Sequence, residues 1–400
     1  MQIKIRRMPY YARLREIDEL LVATRSLWLP QPFITARPEW CEIYPELSDA
    51  LLNLDEKAVA HYAEDQSALV ALIATYIPEL SAIASLVRLP ATTKKQQGKI
   101  EPRLHSGIPG RKWQQIKALY ESIESPQRPM TEWCGGKGYL GRVLARQWQQ
   151  SVTTLEYDQQ LVEAGRRLAD RYGVDQQFEK IDVLHDQTDP YLKQQHTIAL
   201  HACGDLHREL VKRIIDTAAP SFTIVPCCYH LGREQLYTPF TSGLKLRISR
   251  EALRLAVNET VTAHKCEIEQ RNRDMAYKLG FQLLWQQLSG SSDYHRFNPV
   301  PKSWLKDGFA GYCQKLAERE ELTLPDEVDW SSWEARGHQR QHEVQRLQLL
   351  RHCFKRVLEL WLIMDMAAHL QCSGYSIAVH QFCEREVTPR NIIIEGMIRA

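Results

Sequence analysis

The 400-residue sequence has no C-x-x-C pair. Its ten cysteines are scattered from Cys41 to Cys383, which argues against a compact disulfide scaffold and for thiols kept reduced. No apolar run approaches the ~20 residues of a membrane span, and the basic start Met1-Gln-Ile-Lys-Ile-Arg-Arg7 lacks the apolar stretch of a secretion signal. The expectation is a cytoplasmic protein without a membrane partner. No charge of one sign dominates: 51 Lys and Arg face 49 Asp and Glu, a net +2, so total charge singles out no class of partner. Internal repeats and low-complexity tracts are absent. With 44% hydrophobic and 25% charged residues, the composition is that of a globular protein, long enough for two or three modules.

What is present centres on Thr131-Glu-Trp-Cys-Gly-Gly-Lys-Gly-Tyr-Leu-Gly-Arg142. Gly136, Gly138 and Gly141 make a G-x-G-x-x-G between a short strand and a helix, where missing Cβ atoms let backbone N–H groups approach a ligand. Glu132 precedes the turn, and Glu156 ends the next apolar run, 18 positions after Gly138. A carboxylate about 20 residues past such a loop is placed to hydrogen-bond a ribose hydroxyl. The pattern therefore points to a nucleoside-containing cofactor.

From Met130 onward strands alternate with helices. Thr131–Cys134, Val152–Glu156, Phe178–Ile181, Thr197–His201 and Phe222–Val225 read as strands, with helices after the first, second and fourth. That alternation predicts a parallel sheet of right-handed crossovers with ligands at the carboxyl ends of its strands. Those ends carry Asp182, His201-Ala-Cys-Gly-Asp-Leu-His207 and Pro226-Cys-Cys-Tyr-His230. Past Gly232 the alternation stops, giving a stripe of Leu253, Val257, Val261 and His264, then one long helix with Leu350, Phe354, Val357, Leu358 and Trp361 on one side. Two closing runs, Tyr375–Phe382 and Asn391–Glu395, are joined by too short a connector for a crossover and are expected to be antiparallel. The division expected is a helical accessory domain over 1–95, a core over 96–232 and 346–400, and an insertion over 233–345 that could recognise an acceptor.

The segment Arg88–Lys112 holds Arg88, Lys94, Lys95, Lys99, Arg103, Arg111 and Lys112 against one acid, Glu101. It reads either as a solvated linker or as an arm that follows nucleic-acid phosphates, which makes RNA an expected partner.

These motifs, taken in order, resemble class I S-adenosylmethionine-dependent methyltransferases. More narrowly they resemble methyltransferase-like proteins related to a eukaryotic tRNA 2′-O-methyltransferase, which share a "GKGYL" loop, "H-x-C-G" after strand four, "CC-x-H" after strand five and a closing "S/T-P-R-N", here Thr388-Pro-Arg-Asn391. The resemblance covers about Gly107 to Gly232 and the last fifty residues; Pro109-Gly-Arg-Lys-Trp113 is similar to a basic element ahead of the first strand. It implies a Rossmann-like α/β fold with a seven-stranded, mostly parallel sheet and an antiparallel C-terminal hairpin, and S-adenosyl-L-methionine as cofactor. Its cofactor residues fall on Glu132, Cys134, Gly135, Gly136, Lys137, Gly138, Glu156, Asp182, His201 and Cys203. Cys134 departs from the glycine found in many class I enzymes.

Methyl transfer needs an aligned nucleophile and a group to take its proton. His230, Asp205 and Tyr229 are the candidates, with His230 or Asp205 as base. Asp205 alternatively caps the helix after strand four, and His207 reads as its surface neighbour. Cys203, Cys227, Cys228 and His230 also suggest a metal or redox site. Adjacent strand residues point to opposite faces, however, so Cys227 and Cys228 are not expected to share one ion, and no metal is expected. Methylation of RNA is the leading expectation. The alternatives are a protein or small-molecule acceptor, an NAD-dependent oxidoreductase using the same glycine pattern, or a catalytically silent cofactor-binding protein.

Overall fold

The structure is a computed structural model that describes residues 9–91, 94–95, 97–257 and 265–399. The chain forms two compact units, one from Met1–Ala23, Ser85–Thr262 and Lys355–Ala400, the other from Thr24–Ala84 and Ala263–Phe354.

The first unit is built on a seven-stranded sheet: β1 Met130–Trp133, β2 Val152–Glu156, β3 Gln176–Lys180, β4 His196–Cys203, β5 Ser221–Cys227, β6 Tyr375–Gln381 and β7 Ile392–Ile398. Their order is β3-β2-β1-β4-β5-β7-β6, with β1 to β5 parallel and β7 antiparallel to both neighbours. The mixed Rossmann-like sheet and its closing hairpin are thus as expected. The helices used below are α1 Pro9–Ala23, α2 Gly110–Ser122, α3 Tyr139–Trp148, α4 Gln159–Tyr172, α5 Asp205–Asp216 and α6 Lys355–Cys372. β5 is buried at every position, as a strand covered on both faces must be, which is why it reads as a near-continuous apolar run.

Two readings of the helices change. The long C-terminal helix is two helices, Trp330–His352 in the second unit and α6 in the first, separated at Cys353 and Phe354. Neither glycine nor proline marks the break, and both residues are fully buried, so the apolar stripe runs through it. Likewise 1–95 does not stay together: α1 goes with the sheet unit, and 24–84 with 263–354. The tie is Asp18 of α1, fully buried, whose carboxylate accepts the Trp361 Nε1–H of α6 at 3.0 Å and the N–H groups of Lys245 and Leu246 at 2.7 and 3.1 Å. A single polar residue in a helical stripe does not announce that role. Leu253 lies just before a short helix, Arg254–Val257, while Val261 and His264 fall outside the described residues.

In the second unit the helices Lys265–Ser289 and Trp330–His352 pack side by side around Tyr277, Phe281, Phe309, Tyr312 and Trp333. A Cβ at Gly337 would lie 2.5 Å from the Ala276 carbonyl, so glycine sets their separation.

Beneath the turn from β1 to α3 the sheet provides a polar floor. Glu132 on β1 is 3% exposed and accepts the Thr154 hydroxyl at 2.8 Å; the Gln176 amide donates to Thr154 Oγ1 and to the Gly138 carbonyl, both at 2.9 Å. Three adjacent strands thereby hold one loop. Burial pushes the Glu132 carboxyl up to about 7, against the Thr154 hydroxyl and Lys112, which favour its charged form. The folded protein therefore keeps Glu132 protonated at pH values where the unfolded chain releases the proton. Its stabilising effect is complete below the ordinary value of 4.5 and lost as pH rises to 7. Glu132→Gln, a neutral isostere, should gain about 3 kcal/mol of unfolding free energy relative to wild type between pH 4.5 and 7.5, measured by urea denaturation. A difference that does not change with pH would contradict the assignment.

Candidate active site at the strand ends

The turn after β1 is left-handed at Cys134, Gly136 and Gly138, with φ of 56°, 62° and 64°. Gly138 opens α3 and has no alternative, since a Cβ there would lie 2.3 Å from the Gln176 amide nitrogen and 2.5 Å from the Phe178 ring. A Cβ on Gly136 would meet nothing within 4 Å, so the space above the loop is open. Cys134 takes a backbone conformation that favours glycine, and burial and the neighbouring Glu156 raise its thiol pKa. Lys137 is exposed, while Gly135 sits over the Glu132 and Thr154 side chains.

Glu156 ends β2 and curls toward this loop. Its carboxylate accepts the Gly136 N–H at 2.8 Å and the Asp158 N–H at 3.0 Å. Asp158 in turn caps α4 through the N–H groups of Gln160 and Leu161. Asp182 follows β3 and accepts the Leu184 N–H at 3.0 Å. These bonds fix both carboxylates while using fewer than the roughly four acceptor sites each offers. Glu132, expected beside them, instead lies under the loop as part of its floor.

Across the sheet, β4 bulges between Leu200 and Ala202, and His201 adopts φ 67°. Its Nε2–H donates to Gln115 Oε1 at 3.1 Å; burial, with Lys112 and Arg390 nearby, lowers its pKa to about 4 and keeps the ring neutral. The Cys203 thiol lies 3.1 Å from that of Cys227.

Of the three proposed acid–base residues, the structure separates the roles. Gly204, not Asp205, is the N-cap of α5; Asp205 is the first helical residue and accepts the Arg233 N–H at 2.8 Å, pinning the segment after β5. Tyr229 is 4% exposed, its hydroxyl 3.5 Å from the Pro226 carbonyl and its ring edge-on to His207, so burial holds the phenol protonated. His207 is a core residue rather than a surface neighbour: it is buried, and its Nδ1–H donates to the Ala202 carbonyl at 3.0 Å. His230 alone among these has a buried nitrogen, Nδ1, without a hydrogen-bond partner among the described residues; burial and nearby Arg254 lower its pKa, leaving a neutral base.

The alternation argument for the cysteines fails at one residue. β5 ends at Cys227, and Cys228 is left-handed at φ 47°, so strand geometry does not send the two side chains apart. The sulfurs of Cys203, Cys227 and Cys228 all lie within 4.8 Å of one another.

Sequence reasoning missed Lys112 and Gln115 as site residues. They stand three apart on α2, the spacing of one helix face, and Lys112 is close enough for charge interaction with Glu132, Cys203 and Cys227. The basic segment around Lys112 is also less bare than its composition. Lys94 pairs with Glu121 at 3.1 Å, Lys95 with Glu124 at 3.0 Å, and Arg103 with Glu101. The Thr388-Pro-Arg-Asn391 motif is structural: buried Arg390 and Arg356 both bond Glu359, and Arg356 donates to Asn391 Oδ1 at 2.9 Å.

Residues 111–235 match a protein family described as a methyltransferase domain, less than a third of the chain. No curated protein matches the sequence. Solved structures similar to part of it include a Pyrococcus abyssi tRNA (uracil-54, C5)-methyltransferase in complex with S-adenosyl-L-homocysteine, 22% identical over 28% of each chain with a TM-score of 0.24. The 23S rRNA methyltransferase ErmE is 16% identical over 32% of this chain and 46% of its own, at 0.24. A geranyl diphosphate methyltransferase crystallised with sinefungin is 14% identical over 34% and 55%, at 0.25. The chain thus spans about half or less of these structures, and at such scores the fold rests on its own strand order. That order and the glycine turn under Glu156 agree with the match of residues 111–235 to a methyltransferase domain.

Proposed function

We propose that the whole protein is an S-adenosylmethionine-dependent methyltransferase acting on RNA, in the branch related to tRNA 2′-O-methyltransferases that its motifs resemble. The observation that carries the cofactor half is the open space above Gly136, flanked by Glu156 and Asp182 at the ends of adjacent strands. Gly136 and Gly138 let the backbone come close to the methionine end, Glu156 has acceptor sites for ribose hydroxyls, and Asp182 for the adenine amine. S-adenosylmethionine supplies, when bound, a sulfonium methyl group. The chain's own work is to align the acceptor and take its proton, and neutral His230 is the residue fitted for the second task.

Two features support RNA as acceptor. Lys94 is 82% exposed although paired, and Lys95, Lys99 and Arg103 extend the same segment. A cavity of ≈ 450 Å³ is lined by four bases, Arg208, Lys212, Arg233 and Arg250, against three acids, Asp205, Glu209 and Glu234, with Tyr237 and Phe240 on its wall. Arg208 lies 4.6 and 4.4 Å from the Tyr237 and Phe240 ring centroids, a cation held over two aromatic faces at the cavity wall.

Calorimetry should give S-adenosylmethionine and S-adenosylhomocysteine binding, no NAD binding, and affinity reduced at least ~10-fold by Glu156→Ala or Asp182→Ala, about 1.4 kcal/mol. NAD binding without either nucleoside would replace this reading with an oxidoreductase. RNA affinity should fall with salt, and exchanging Lys94, Lys95 and Lys99 for Gln should flatten that slope by roughly 2. Salt-independent or absent RNA binding would point to a protein or small-molecule acceptor. His230→Ala should abolish turnover while sparing cofactor binding; unchanged turnover would clear it of the role.

A further inference from the structure

We propose that Cys203, Cys227 and Cys228 bind one thiophilic divalent cation of the zinc class. The three sulfurs come from the ends of two adjacent strands and lie within 4.8 Å of one another, Cys203 and Cys227 at 3.1 Å. Zinc–thiolate bonds of ~2.3 Å at tetrahedral angles place sulfurs roughly 3.8 Å apart, so an ion requires sulfur movements below about an ångström.

The backbone is shaped for this cluster. β4 bulges at His201, φ 67°, two residues before Cys203, and Cys228 itself is left-handed at φ 47°. Two non-glycine residues in that region, on neighbouring strand ends and flanking the same three thiols, represent conformational cost that regular strands would not incur. Regular extension of β5 would send Cys228 away from Cys227. The electrostatics also fit. Three thiolates around a divalent cation leave one net negative charge, and Lys112 interacts with Cys203 and Cys227 while Arg390 interacts with Cys228. Binding releases the three thiol protons and changes no oxidation state. Three protein ligands leave a fourth position, the arrangement of zinc centres that admit a water or substrate group.

The inference rests on the cysteine geometry and stands whether or not the chain methylates RNA. The test uses the full chain, purified reduced and stripped by dialysis against a chelator, then titrated with Co2+ as a spectroscopic probe for zinc. The expected result is a thiolate-to-cobalt charge-transfer band saturating at one equivalent and displaced by Zn2+. Cys228→Ser and Cys203→Ser should each weaken Zn2+ binding at least ~10-fold with an unchanged far-ultraviolet circular dichroism spectrum. Cys266→Ser and Cys372→Ser, at exposed cysteines, should retain the full band. Absence of the band in reduced wild-type protein, or a full band surviving the Cys203→Ser Cys228→Ser double change, would overturn the proposal.

Discussion

The first unit depends on one constraint, that backbone rather than side chains must occupy the turn between β1 and α3. Gly138 leaves no room for a Cβ, and the Gln176 amide that fills that space also binds the turn's own carbonyl. Glu132 and Thr154 complete the floor, so β1, β2 and β3 meet in one buried polar network. Such a network is costly if any member is left unpaired, which makes the loop's position unique rather than merely allowed. Glu156 then holds the loop from the end of β2 through the Gly136 N–H, beside the open space. The site is thus a rim of peptide groups and two fixed acids over a floor that the fold cannot rearrange cheaply.

A second buried polar network acts toward the opposite edge of the sheet, at β6 and β7. Arg356 and Arg390 share Glu359, and Asn391 both receives a bond from Arg356 and donates to the Cys383 carbonyl at 2.6 Å. Buried ion pairs of this kind add little net stability but strongly penalise a misplaced partner. Here they fix the connector between β6 and β7 against α6, the helix that α1 also grips through Asp18. Arg390 lies near both His201 and Cys228, so the closing motif of the sequence sets part of the electrostatic background of the strand ends.

Much of this was legible in the sequence for physical reasons. Parallel strands buried on both faces are short apolar runs, and β2 was bounded at the same residues, Val152 and Glu156. The hairpin followed from connector length alone. Where reading failed, the sequence carried no local signal. The break at Cys353 and Phe354 has no helix breaker, and Asp18 looks like any polar residue on a helix although it joins segments over 200 positions apart. The cysteine argument assumed that β5 continues through Cys228, whereas the chain turns left-handed there, and periodicity describes a strand only while it remains one. Tyr229 was read as an acid–base candidate and His207 as a surface neighbour because polar residues near a motif invite it, yet both pack in the core with their polar atoms turned to backbone carbonyls. Lys112 was hidden at the end of a charge run and Gln115 lies three residues past it, and only the helical face of α2 separates them from the solvated residues around them.

The central claim is that the rim above Gly136 encloses a nucleoside held by Glu156 and Asp182. A crystal structure with S-adenosylhomocysteine tests it most directly. The account predicts the ligand over Gly136, its ribose hydroxyls on the Glu156 carboxylate and its adenine amine toward Asp182. A ligand bound elsewhere on the molecule, with the Gly136 rim left to solvent, would contradict it.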